Sequence, residues 1–152
     1  MSLDETDSKL VQHLMRQGRT TWSELANLLG LSAPAAADRV RRLEERGVIR
    51  GYAAQISPEA AGCELLAFIA VSLEQSQQRA AFLQRVEALS EIQECHHVTG
   101  ADDYLLKVRC RNTQALERLI SQELKSLDGL KTHTTIALST VKETSALPLS
   151  AS

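Results

Sequence analysis

The stretch ECHHVTGADDYLL, Glu94 to Leu106, sets a thiol, two imidazoles, a glycine and two adjacent carboxylates between apolar runs. Three kinds of chemistry suit such a set. In a strand side chains alternate, so Cys95 and His97 share one face and His96 takes the other. With His133 from a later strand, Cys95 and His97 offer three zinc ligands of acceptable type, although no second close-spaced ligand pair accompanies them. Cys95 and His97 are also a potential nucleophile–base pair, yet nothing nearby supplies an orienting group or an oxyanion hole recognisable from sequence. The third chemistry is recognition, centred on TGADD. Gly100 permits a positive φ and close backbone approach, and Thr99, Asp102 and Asp103 place polar groups at the mouth of a hairpin. A free amino acid is a zwitterion; its ammonium seeks a carboxylate and its carboxylate seeks backbone N–H groups. The competing reading of TGADD is an ordinary solvated turn. A buried strand face is where a thiol sits as a small hydrophobe, so no metal ligand, catalytic residue or cofactor is assigned.

A second set is electrostatic. From Arg39 to Arg50 five arginines stand against Glu44 and Glu45, a local charge of +3 in a chain whose net charge is −2. Residues 63–152 carry nine basic and eleven acidic side chains, a net of −2. A basic stripe on a neutral or acidic body is an electrostatic footprint suited to phosphate. Aromatic residues are only 3% of the chain, which argues against base-stacking on single strands.

Length and composition bound the rest. The chain has 152 residues, 43% hydrophobic and 24% charged, a soluble globular profile with room for one domain or two small ones. No apolar run approaches the ~18 residues of a membrane helix, and the opening MSLDETDSKL does not read as a leader peptide. The three cysteines, Cys63, Cys95 and Cys110, fit buried thiols in a reducing cytoplasm rather than a disulfide framework. A cytoplasmic location without membrane association is expected.

Two periodicities position these residues. Up to Ile49 the pattern is helical. A first helix puts Leu10, Val11, Leu14 and Met15 on one face and is expected to stop at Gly18. A second, TTWSELANLLG, turns Leu25, Leu28 and Leu29 inward. Ser32 is a candidate N-cap for a third, with Pro34 in its first turn and Gly47 at its end. Two short helices joined by GLS are the sequence form of a helix-turn-helix. In the third helix Ala36, Val40 and Leu43 face the core, while Pro34, Asp38, Arg41, Arg42 and Glu45 fall on the opposite side at 3.6 residues per turn. Ser32, Ala33, Pro34 and Asp38 would then approach base edges, and Arg39, Arg41 and Arg42 would reach phosphates or guanines. The alternative is a solvated amphipathic helix whose arginines pair with Glu44 and Glu45.

VIRGYAAQI reads as a strand or hairpin and SPEAAG as a linker. Strand-like and helix-like segments then follow in the order β-α-β-β-α-β, the ferredoxin-like arrangement. The expected class is α+β: a winged helix-turn-helix over 1–50, a strand and hinge linker over 51–62, a ferredoxin-like domain over 63–143, and an unstructured tail over 144–152.

LDETDSKLVQHLMRQGRTTWSELANLLGLS followed by RVRRLEERGVIRGYAAQISPEAAG resembles the N-terminal domain of the Lrp/AsnC (feast/famine) transcriptional regulators. The second half, with VTGADDYLLKV and a last strand ending in VK, resembles their effector-sensing and oligomerisation domain. The resemblance implies a transcriptional regulator, not an enzyme, that binds double-stranded DNA and answers to a small effector, an amino acid, held between subunits. It places effector contacts at Val98, Thr99, Gly100, Ala101, Asp102, Asp103 and Tyr104, with Thr134 and Thr135 from the last strand. Ala101 and Asp102 stand where the family usually has an acidic and an aromatic residue, and Ala36 where it usually has a branched one. Partners implied are a second copy, assembling as a homodimer and further, as in an octamer. A ligand-independent architectural DNA-binding protein and a metabolite- or metal-binding ferredoxin-like protein are the alternatives.

Overall fold

The structure, a computed structural model, describes residues 3–149. These divide into two compact units with boundaries at 54/55 and 141/142.

The first unit is built on three helices. α1 (Glu5–Leu14) begins at Asp4, whose side chain accepts from the Asp7 N–H at 2.7 Å, with Glu5 and Asp7 where the helix dipole favours negative charge. It ends four residues before Gly18, because the N–H groups of Arg16 and Gln17 both turn back to the His13 carbonyl. α2 (Trp22–Leu29) opens with a capping box between Thr21 and Glu24 and closes on Gly30 at φ 64°. α3 (Ala33–Glu45) starts at Ser32, whose Oγ accepts from the Ala35 N–H at 3.3 Å. Leu10, Leu25, Ala36, Val40 and Leu43 interlock as the core of this unit. Leu28 was expected inward but is 49% exposed. At about 100° per residue, Leu25, Ala26 and Leu29 occupy the inward sector and Leu28 falls outside it.

These caps set an acid limit. The Asp7 N–H, and then the Arg39 guanidinium, hold the Asp4 carboxyl below its ordinary value of 3.8. The Thr21 N–H likewise lowers Glu24 from 4.5. A carboxyl lowered in the fold contributes stability above its unfolded value and loses it as pH falls through the folded one. Melting of the helical unit is therefore expected to hold steady from neutrality to about pH 5 and to fall in acid below about pH 4.5, read by circular dichroism.

Residues 51–57 carry no helix or strand, so the strand or hairpin expected in VIRGYAAQI does not form within the chain. A strand needs a ladder partner, and among the described residues none pairs with this segment. Residues 142–149, in and beside the stretch read as an unstructured tail, also lack regular structure. Gln12 Nε2 donates to the Leu149 carbonyl at 3.4 Å, and the Leu147 N–H meets Met15 Sδ at 3.2 Å. Residues 1–2 and 150–152 lie outside the described residues.

The second unit is an antiparallel sheet in the order β2-β3-β1-β4, made by β1 (Leu65–Leu73), β2 (Ile92–His97), β3 (Tyr104–Cys110) and β4 (Leu130–Ile136). α4 (Arg79–Ala88) connects β1 to β2. α5 (Thr113–Arg118) follows β3 and continues as a wider π turn over Leu119–Leu124. This is the expected βαββαβ order. Ala67, Ile69 and Val71 of β1 and Leu106 and Val108 of β3 meet Phe82, Leu116 and Leu124 from the helices in one core. Register places Phe68, Ala70 and Leu105 on the opposite face, among Lys107, Thr135 and His133.

Candidate DNA-reading face and effector turn

The back of α3 is fixed by burial of Ala36, Val40 and Leu43, which leaves Pro34, Arg41, Arg42 and Glu45 exposed on its front and Asp38 half-exposed among them. Ser32, Ala33, Pro34 and Asp38 occupy the N-terminal end of that helix, as the sequence suggested. Asp38 is the hub of the front. Its Oδ1 accepts from Arg41 Nη2, and its Oδ2 makes an ion pair with Arg42 Nη2 at 3.1 Å; Arg41 Nε also lies 3.8 Å from Glu45.

Arg39 does not join them. Its guanidinium turns to α1, donating to Asp7 at 2.7 Å and Asp4 at 3.0 Å, and its side chain is 27% exposed. Hydrogen bonds to both carboxylates raise its pKa further. Position 39 flanks the buried Val40, so its side chain emerges at the seam with α1 rather than on the front. The signal for this in the sequence is the Asp4/Asp7 spacing, which sets two carboxylates at the start of α1.

Trp22, at the first position of α2, is 50% exposed and shares with Pro34, Ala37, Asp38 and Arg41 a groove of about 460 Å³ beside α3. An exposed indole against the front of α3 was not anticipated. The only signal for it was an aromatic residue immediately after a capping threonine.

The turn between β2 and β3 is closed by the Val98 N–H on the Asp103 carbonyl at 2.9 Å. Thr99, Gly100 and Ala101 are exposed, and Gly100 has φ 116°, a region that disfavours any side chain. The two carboxylates are not free at the mouth. Asp103 Oδ2 accepts from the Leu73 N–H at 2.7 Å, and Asp102 Oδ1 from Ser72 Oγ at 2.9 Å, so both tie the turn to the end of β1. Thr134 and Thr135 pair with Ile69 and Phe68 of β1, so two strands separate them from β2 and they are not gathered with the turn in one chain.

Tyr104 belongs to the core. It is 3% exposed, and its ring centroid is 5.0 Å from both Phe82 and His97, with the Arg79 guanidinium 5.9 Å over the ring. Alternation along β3 gives it the face of Leu106 and Val108. Its hydroxyl has no hydrogen-bond partner within the described chain. A buried unpaired hydroxyl costs about 1–3 kcal/mol. Tyr104→Phe is therefore expected to raise the urea midpoint of the sheet unit slightly or leave it unchanged; a loss above about 1 kcal/mol would mean the hydroxyl is bonded in solution.

The residues weighed for metal and nucleophilic chemistry are dispersed. Cys95 pairs with Leu106 and His97 stacks on Tyr104, on the helix-covered face; His133 pairs with Ala70 on the other. Burial raises the Cys95 thiol, the direction opposite to an activated thiolate. His96 bonds Glu94 at 3.0 Å, and that contact first, then Lys107, lowers the Glu94 carboxyl. Among the described residues no three His, Cys, Asp or Glu side chains converge on one point.

A helix-turn-helix with arginines on its front and a ferredoxin-like sheet with a glycine turn in the same chain define a DNA-binding regulator with a ligand-sensing module. Residues 3–44 match the AsnC-type helix-turn-helix domain and residues 66–147 the Lrp/AsnC ligand binding domain. The chain belongs to the Lrp/AsnC family of transcriptional regulators. It is 42% identical to the HTH-type transcriptional regulator LrpA of Mycobacterium tuberculosis over 91% of this chain and 92% of that protein. It is 36% identical to the leucine-responsive regulatory protein of Escherichia coli, over 95% and 90%. Among solved structures, a transcriptional regulator of Neisseria meningitidis in complex with L-methionine superposes with a TM-score of 0.92 at 34% identity, covering 97% of each chain. A feast or famine regulatory protein of M. tuberculosis complexed with L-methionine gives 0.89 at 40% identity, covering 96% of this chain and 99% of that one.

Proposed function

We propose that α3 reads double-stranded DNA in the major groove and that an amino acid held at the turn between β2 and β3 changes this binding. The observation that carries the DNA reading is the exposed front of α3, where Asp38, Arg41 and Arg42 project from a buried apolar back. Alanines fill positions 33 and 35–37, so affinity comes largely from phosphates and shape, with few base contacts. Arg39 is reassigned from the DNA to the clamp on α1.

The effector reading rests on family membership and on relatives bound to L-methionine. Gly100 gives the turn its shape, and Val98, Thr99, Ala101 and backbone groups supply contacts. Asp102 and Asp103 act by anchoring the turn to β1, and Tyr104 by walling the core behind it. Thr134 and Thr135 reach an effector from another subunit. The open sheet face around Phe68, Ala70 and Leu105 takes a second copy, giving a homodimer that assembles further, to an octamer in the fullest case. The functional parts are a DNA-reading head over 1–50, a hinge over 51–62 and a sensing domain over 63–143, working in the cytoplasm.

Thermal melting with each of the twenty amino acids tests the effector reading. At 100 times its dissociation constant a ligand stabilises by about 2.7 kcal/mol, so one or a few amino acids are expected to raise the midpoint by several degrees. No shift with any of them would favour a second reading, a DNA-binding regulator without an effector. The commitment of Asp102 and Asp103 to β1 speaks for that second reading.

A further inference from the structure

Between Ala33 and Asp38 the residues are Ala, Pro, Ala, Ala, Ala and Asp, so Asp38 alone in this stretch carries a hydrogen-bonding side chain. Ser32, just before it, uses its Oγ to accept from the Ala35 N–H. The N-terminal half of a recognition helix is the part that meets base edges. Apart from the Ser32 O–H, its power to discriminate bases therefore falls on one carboxylate, and that carboxylate grips Arg41 and Arg42 at once.

These two facts have one consequence. In the major groove guanine and thymine present acceptors, N7 and O6 or O4, while cytosine and adenine present an amino donor, N4 or N6. A carboxylate accepts from the amino groups and is repelled by the acceptors. While it is repelled, it keeps hold of its arginines, which then contribute less to any phosphate. We propose that Asp38 is a specificity-determining residue of this head. Over cytosine or adenine it bonds the exocyclic amino group and shares out its charge, freeing Arg41 and Arg42 for phosphates or a neighbouring guanine. Over guanine or thymine it holds both arginines back. The acid thus lowers affinity for random duplex and raises the ratio between specific and random sites. This inference rests on the DNA reading of α3 given above.

The test selects duplexes from a random pool with the full chain and with Asp38→Ala and Asp38→Asn, then measures binding to the selected site and a scrambled duplex by fluorescence anisotropy across salt. The wild type is expected to select cytosine or adenine at one position in each half-site. Asp38→Ala should lose that preference and bind scrambled duplex at least about 5-fold tighter, with a steeper salt dependence as two more cations reach phosphates. Asp38→Asn, which offers a donor and an acceptor, should shift the preference towards adenine. Salt-dependent binding by the wild type with motif and scrambled-duplex affinity unmoved in both variants would overturn the inference alone. Weaker binding of scrambled duplex by a folded Asp38→Ala would overturn it too. No salt-dependent binding by the wild type would sink the DNA reading and the inference together.

Discussion

Arg41→Ala with Arg42→Ala is expected to cut the affinity for double-stranded DNA between about 30-fold and about 10⁴-fold while the protein stays folded. Arginine contacts in a groove are worth ~1–3 kcal/mol each, and two of them per head span that range at 1.4 kcal/mol per tenfold. The lower end is favoured, because in the free protein both arginines already have Asp38, and that pairing must be given up or shared on the duplex. The salt dependence should flatten by about 0.9 in log–log slope for each lost phosphate contact. The fold has little to lose, since both arginines are well exposed, Asp38 is half-exposed, and such surface pairs contribute roughly 0–1 kcal/mol. Anisotropy titrations at several salt concentrations check the binding, and a melting curve checks the fold. An affinity unchanged within about twofold would remove α3 from the DNA.

Asp7→Ala is expected to destabilise the helical unit by about 2–3 kcal/mol, the largest effect anticipated from a single polar residue here. Asp7 is 7% exposed and accepts from Arg39 at 2.7 Å, with Arg46 at 3.9 Å. Removing one partner of a buried pair typically costs 3–5 kcal/mol, because the other charge is left behind. The value expected is lower, since Asp4 still accepts from Arg39 at 3.0 Å. A unit of this size buries limited surface, so the loss should appear as early melting of the helices by circular dichroism. A double-mutant cycle with Arg39→Ala isolates the coupling. The exposed Lys9–Glu5 pair is the control, expected to show no measurable coupling. Additive effects of Asp7→Ala and Arg39→Ala would contradict the clamp.

Much of the fold was legible because its signals are local. Ser32 before Pro34 and the β1 run LLAFIAVSL each fix an element through chemistry within a few residues. What the sequence hid was which partner a long or charged side chain takes. Arg39 and Arg41 are two residues apart, yet one turns to α1 and the other stays on the front; the choice lies in Asp4 and Asp7, over thirty residues away. Asp103 was legible as a turn residue, but its bond to the Leu73 N–H depends on β3 lying beside β1, a long-range fact. Tyr104 was drawn into the effector set by adjacency to the turn, although strand alternation alone gave it the face of Leu106. The strand expected in VIRGYAAQI had a local pattern but, among the described residues, no partner to pair with.

The most direct test of the whole account uses Trp22, the sole tryptophan of the chain, in the groove beside Asp38 and Arg41. Its fluorescence should be followed while duplex DNA is titrated in, at two salt concentrations, with and without the amino acid that most raises the melting midpoint. A regulator that reads DNA with α3 and senses an amino acid at the β2–β3 turn should give a salt-sensitive fluorescence change whose midpoint moves severalfold with that amino acid. A fluorescence that ignores DNA would contradict the reading face. A DNA midpoint indifferent to every amino acid would contradict the coupling between sensing and DNA binding.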